Sequence, residues 1–178
     1  MIIKVTKSIL PVNSLAQDYL PADYVDVFGT EALDDERLTP DNLLIAVWTD
    51  FPKWIKMLFK LRDRLVKPFG LKTSADEKDF KHKFEKAVRN GGRFQLMNVL
   101  AKSANEIVVQ LADTHLTAEM SVHTEKSNGN QLKITFITIV HFHNVLGKVY
   151  FFFVRPFHKI IVKTALKRSI TKLIKNNE

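Results

Sequence analysis

The residues in this sequence best suited to chemistry near neutral pH are its histidines. His141 and His143 are one residue apart, so on a strand both imidazoles share a face, a spacing that suits two metal ligands. His115 or His158 would have to bring a third. No carboxylate follows closely, because the next residues are Asn144, Val145, Leu146, Gly147 and Lys148. The plainer expectation is two histidines at a strand end meeting solvent, with no metal and no cofactor. His158 follows Pro156-Phe157 at the expected start of a helix, where the helix dipole favours a neutral ring. It is expected to bond a neighbouring loop or to line a ligand site. Arg62 lies beside an apolar helical stripe, and a guanidinium there needs a carboxylate. Asp26 or Asp23 could supply it, or Arg62 could hold a ligand carboxylate. Trp54, Phe136, Phe142, Tyr150 and Phe151 to Phe153 add aromatic surface, most of it expected in the core. The candidate ligand-binding set is therefore Asp26, Trp54, Arg62, His115, Tyr150 and His158. No Gly-x-Ser-x-Gly, Walker A or Gly-x-Gly-x-x-Gly pattern is present, and no Ser–His–Asp arrangement can be argued from the spacing.

The elements that must position these residues follow from periodicity. Residues 23–28 alternate polar and apolar, a strand expected to end at Gly29. Thr39-Pro40-Asp41 combines a cap, a first-turn proline and a charge that complements the dipole, so a helix runs from there to about Trp48. A second helix spans 52–66. Trp54, Leu58, Leu61 and Leu65 form its expected inward stripe, with Lys53, Lys56, Lys60, Arg64 and Lys67 opposite. Phe80, Phe84 and Val88 suggest a short amphipathic helix or a flap within 72–90. The period then changes to two, with strands expected at 94–100, 107–112, 116–124, 132–143 and 149–155. Their connections are short, and Asn128-Gly129 is a hairpin signal. Pro156 is expected to open a last helix to about Ile174.

The chain has 178 residues, a net charge of +8 and no cysteine. One domain over 1–178 is the expectation, and disulfides, thiolate metal sites and cysteine nucleophiles are excluded. Charge is unevenly placed. Residues 1–52 carry 3 basic and 9 acidic side chains, 53–93 carry 13 and 5, and 155–178 carry 7 and 1. The basic segments can attract acidic lipids or anionic partners. Nucleic acid is not expected, since no helix-turn-helix or aromatic RNA motif accompanies them. No leader and no membrane-length apolar run stands out, so a cytoplasmic protein is expected.

One strand, two helices, an antiparallel run and a long last helix give an α+β order similar to the helix-grip fold of the START/Bet v-like (SRPBCC) superfamily. A closer resemblance rests on four stretches. Residues 52–71 carry Pro52-Lys53-Trp54, then Leu61-Arg62-Asp63-Arg64-Leu65-Val66 and Phe69-Gly70-Leu71. The others are Asp113-Thr114-His115-Leu116, His143-Asn144-x-x-Gly147-Lys148-x-Tyr150 with Pro156-Phe157-His158-Lys159, and Asp23-Tyr24-x-Asp26. Together they resemble domain-of-unknown-function family 2867 over nearly the whole chain. Lys148 and Lys159 stand where that pattern carries arginine, which weakens any bidentate anion contact there. The family has no assigned activity, so no catalytic residue carries over.

The resemblance implies a curved antiparallel sheet wrapped around the C-terminal helix, with an apolar cavity between them. The leading expectation is a binding domain for a small hydrophobic molecule, lipid-like or aromatic. A cyclase or hydratase using the same cavity is one alternative, and docking to an acidic membrane or anionic partner through basic helix faces is another. Apolar residues on both sides of 151–153 also permit a homodimer.

Overall fold

A computed structural model describes residues 3–66, 80–127 and 129–175, with the side chains of 61–66 excluded. Seven strands form one antiparallel sheet in the order β1-β2-β7-β6-β5-β4-β3. They are β1 (Thr6–Lys7), β2 (Tyr24–Leu33), β3 (Arg93–Phe94), β4 (Met97–Lys102), β5 (Glu106–Ala112), β6 (Leu116–Lys126) and β7 (Gln131–Phe142). Helices α1 (Pro40–Thr49), α2 (Lys53–Val66) and α3 (Phe80–Asn90) fall between β2 and β3, and α4 (Val145–Lys175) closes the chain. This is the helix-grip arrangement of an α+β fold. Hairpin links join β3 through β7. Strand β2 returns to pair with β7, Phe28 opposite Phe136.

Alternation along the strands separates two faces. One carries Phe28, Ile107, Val109, Val122, Ile134 and Phe136, all buried against α1, α3 and α4. Leu43 and Leu44 of α1, Phe84 and Val88 of α3, and Val162, Leu166 and Ile170 of α4 complete that core. Along its second half, α4 is thus seated on the sheet through packed side chains. Thr39 caps α1 by accepting the Asn42 N–H, with Pro40 in the first turn, as the sequence predicts. The amphipathic helix expected from Phe84 and Val88 is α3.

The opposite face is partly polar. It is covered by a 3-10 turn, Leu15–Tyr19, whose Ala16 packs on Val27, Ile137 and Ile139. Glu106 lies beneath it, 1% exposed. Its carboxylate accepts from Ser14 Oγ at 2.7 Å, from the Leu15 N–H at 2.7 Å and from Ser121 Oγ. A buried carboxylate is tolerated when its lone pairs are met this way, and here it pins the N-terminal arm to β5 and β6.

Four expectations need correction. Residues 149–155 are helical, not a strand, and Pro156 lies inside the 31-residue α4. The aromatic and β-branched run favours a strand locally. Asn144 decides otherwise: its side chain accepts the Gly147 N–H at 3.0 Å and caps a helix eleven residues before Pro156. Pro156 itself is exposed, so water can meet the carbonyl that its ring leaves unpaired. Gly29 does not end β2. It pairs with Thr6 and Thr135, and a Cβ there would come within 3.1 Å of Ser8, so the glycine lets β1 approach. The strand expected at 94–100 is divided by a turn at Gln95, whose φ is 53°. Finally, Trp54 is not on the inward side of α2. Ile55 is fully buried and Leu58 and Phe59 are half-buried, whereas Trp54 is exposed. The Phe59 ring meets Phe51 at 5.2 Å, which selects the 55/58/59 face. The expected Leu61 and Leu65 contacts and the Asn128 turn position lie outside the described residues.

Candidate functional site

Two of the sequence motifs meet in space. The turn at Asp113-Thr114-His115 joins β5 to β6, and His143-Asn144 leads from β7 into α4. The His115 carbonyl accepts the His143 N–H at 3.0 Å, and the Thr114 carbonyl accepts from Asn144 Nδ2 at 3.3 Å. Gly147 closes the joint. A Cβ there would stand 2.1 Å from the His115 carbonyl oxygen, so only glycine lets α4 come this close. The His115 side chain is 2% exposed, with Nδ1 3.6 Å from an Asp113 oxygen and the ring edge-on to Tyr150 at 5.1 Å. His115 and Tyr150 therefore sit together at this joint.

Next to it, under the first half of α4, lies a polar cluster among aromatic rings. Tyr24 Oη donates to Asp26 Oδ2 at 2.6 Å. Asp26 is buried, on the β2 face that meets α4. The Arg155 guanidinium lies 5.1 Å over the Tyr24 ring, and Phe151 packs on Tyr24, Phe142 and His158. Burial, then the Asp26 hydrogen bond and charge, push the Tyr24 hydroxyl well above its ordinary value, against an opposing pull from Arg155. Burial pulls His158 down, outweighing the Asp26 carboxylate, and Lys159 adds to the fall. Its Nε2 is buried without a hydrogen-bond partner. The neutral ring expected from the sequence has a different cause: His158 is well inside α4, so desolvation acts on it and the helix N-terminus does not. Asp23 of the same motif accepts the Phe142 N–H at 2.7 Å and fastens the end of β7.

Trp54 belongs to a separate place. An open groove of about 1060 Å³ runs between the N-terminal arm, the start of α2 and the second half of α4. Its apolar wall is Ile3, Val5, Pro52 and Trp54. Lys4, Lys163, Lys167, Arg168 and Lys172 supply cations. Asp50, at the end of α1, is the carboxylate among the described lining residues. It is held by Arg168 Nε at 3.0 Å and Lys172 Nζ at 3.1 Å. Burial raises its pKa, but hydrogen bonds from Lys172 and Arg168 outweigh that and keep it below the usual carboxylate range. Lys4 and Lys167 make no ion pair among the described residues, and Lys163 rests over the Phe28 ring at 5.2 Å.

The structure thus brings Asp26 and His158 together, sets His115 and Tyr150 beside them, and leaves Trp54 at the far end of α4. The Arg62 side chain lies outside the described residues. Its two expected partners, Asp26 and Asp23, accept from Tyr24 and from the Phe142 backbone. His141 and His143 are engaged separately: His141 Nε2 is 3.6 Å from Glu119, and His143 Nε2 is 2.9 Å from the Thr117 hydroxyl. No cluster of three or more His, Cys, Asp or Glu among the described residues could hold a metal ion. Sequence reading missed Tyr24, Arg155 and the groove cations. One signal was available for the groove: Arg168 and Lys172 are four apart on one helix face, and that helix contains no acid to pair with them.

The sequence model of the family described as Protein of unknown function (DUF2867) matches residues 19–165. The chain belongs to this family. No curated protein and no solved structure matches it. Within the DUF2867 match fall the Asp113–His115 turn, the Asn144 cap, Gly147 and the Tyr24–Asp26–His158 cluster. In this member of DUF2867, the His-Asn-x-x-Gly and Asp-x-His-Leu stretches are halves of one structural joint. No helix of the described residues is long and apolar enough to cross a membrane.

Proposed function

We propose that this DUF2867 protein binds a small amphipathic molecule with an apolar body and an anionic head. One observation carries the reading: the groove along α4 pairs a wall of Ile3, Val5, Pro52 and Trp54 with a rim of lysines. Asp50 is already engaged by Arg168 and Lys172, which leaves Lys4, Lys163 and Lys167 to attract a carboxylate or phosphate. Apolar burial would supply affinity at about 25 cal/mol per Å². The helix-grip order supports reading the chain within the START/Bet v-like superfamily, where such ligands are usual.

The test is calorimetric titration with decanoate and with decanol, both below their aggregation limits. Decanoate should bind about tenfold more tightly than decanol, and Lys163→Glu with Lys167→Glu should remove that difference. Equal affinity for both probes, unchanged in the double variant, sinks the reading.

An acid–base enzyme is the second reading. It is favoured by the buried His158 Nε2, which lacks a partner next to the Asp26–Tyr24 pair. It requires His158→Ala to abolish a turnover that the groove variants leave intact.

A further inference from the structure

The first half of α4 presents a face that the fold does not use. Phe151, His158 and Val162 turn toward the sheet. On the opposite side of the helix, Val145, Val149, Phe152, Phe153, Phe157 and Ile160 are at least half exposed, Phe152 reaching 73% and Phe153 66%. The Phe152 and Phe153 rings meet edge-on at 5.4 Å and stand together at the surface. Single exposed apolar residues are ordinary, but a continuous stripe along four turns of helix marks an interaction surface.

Charge selects the occupant. Between 145 and 175 the helix carries Lys148, Arg155, Lys159, Lys163, Lys167, Arg168, Lys172 and Lys175, and no aspartate or glutamate. Lys148, Arg155 and Lys159 flank the apolar stripe itself. A second copy of this chain would bring the same cations against each other with no carboxylate from either helix to pair them, an arrangement that opposes association. An anionic bilayer surface satisfies both features. Phenylalanines enter the boundary between headgroups and acyl chains, while lysine and arginine reach the lipid phosphates. The helix is too charged to cross the bilayer, which suits a segment lying in the interface plane.

We propose that this protein docks on anionic membrane surfaces through the outward face of the first half of α4, with Phe152 and Phe153 inserted and Lys148 and Lys159 on lipid phosphates. The sequence offers basic helix faces for such docking, and the lysines of α2 form one of them. Lys53, Lys56 and Lys60 are indeed exposed, but the exposed stripe of phenylalanines is on α4. The proposal stands apart from the groove: one concerns a surface, the other a dissolved amphiphile.

Vesicle co-sedimentation of the full chain tests it, with vesicles of phosphatidylcholine alone and with about 30 mol% phosphatidylglycerol. Binding should be about tenfold or more stronger to the anionic vesicles and should weaken with salt. The Phe152→Ser/Phe153→Ser variant should lose about tenfold in binding, with its thermal melt unchanged because both rings are exposed. Lys148→Glu/Lys159→Glu should lose the preference for anionic lipid. Failure of the wild type to bind anionic vesicles overturns the proposal. So does loss of binding on Lys53→Glu/Lys56→Glu/Lys60→Glu while the phenylalanine variant binds normally. A dimer in sedimentation equilibrium that the phenylalanine variant dissolves also overturns it, since the stripe would then be covered by a second copy.

Discussion

The two halves of α4 are one continuous helix with opposite economies of burial. The second half buries Val162, Ala165, Leu166, Ser169 and Ile170 against the sheet and α1, and turns lysines outward. The first half buries little beyond Gly147 and Phe151 and turns apolar rings outward. The second half obeys the ordinary amphipathic rule. The first half inverts it, and is held by contacts at its start: the Asn144 cap, the Gly147 approach to His115, and the Tyr24–Phe151 packing at 4.8 Å. One half of the helix is therefore positioned by area and the other by a joint. A helix face that stability does not require is available for function.

The sharpest way to break this contrast is Gly147→Ala. Helix propensity alone favours alanine by about 1 kcal/mol. The 2.1 Å approach to the His115 carbonyl should reverse that sign, with a loss of about 3 kcal/mol in urea unfolding. A stabilised variant would show that the joint does not hold α4.

Leu166→Ala and Phe152→Ala compare the halves directly. Leu166 is fully buried, and its truncation should cost about 3 kcal/mol. Phe152 is larger but 73% exposed, and its truncation should fall within about 0.5 kcal/mol. Similar losses at both sites would mean that the outward rings support the fold.

The smallest effect concerns the boundary between the halves. Burial lowers the His158 pKa below 6.5, so the unfolded chain takes up the proton first as pH falls. The stabilising contribution is whole above about pH 6.5 and is lost as pH drops toward the folded value. Thermal melts between about pH 7 and pH 5 should fall less steeply for His158→Asn than for wild type. Parallel slopes would place the ring in water.

Much of the fold was legible because local rules and tertiary demands agree there. Thr39-Pro40-Asp41 starts α1, Phe84 and Val88 face α3 inward, and period-two alternation marks β5, β6 and β7. The candidate site was legible only in part. Asp26 and His158 were picked out by residue type, and both fall in one cluster. Trp54 was misplaced because the aromatic at 54 and the isoleucine at 55 compete for one inward position, and the packed fold buries Ile55 and leaves Trp54 exposed.

Composition and spacing alone establish α1, α3, the antiparallel run β5 to β7, the uneven charge and the absence of acid from the last helix. Contacts across the fold set how closely α4 approaches the β5–β6 turn, which aromatics it hides and which cations share a groove with Trp54. Those outcomes depend on contacts between residues distant in the chain, such as Gly147 against His115 and Asp50 against Arg168. No local period encodes them, because the partner's position is fixed only when the sheet has closed on the helix.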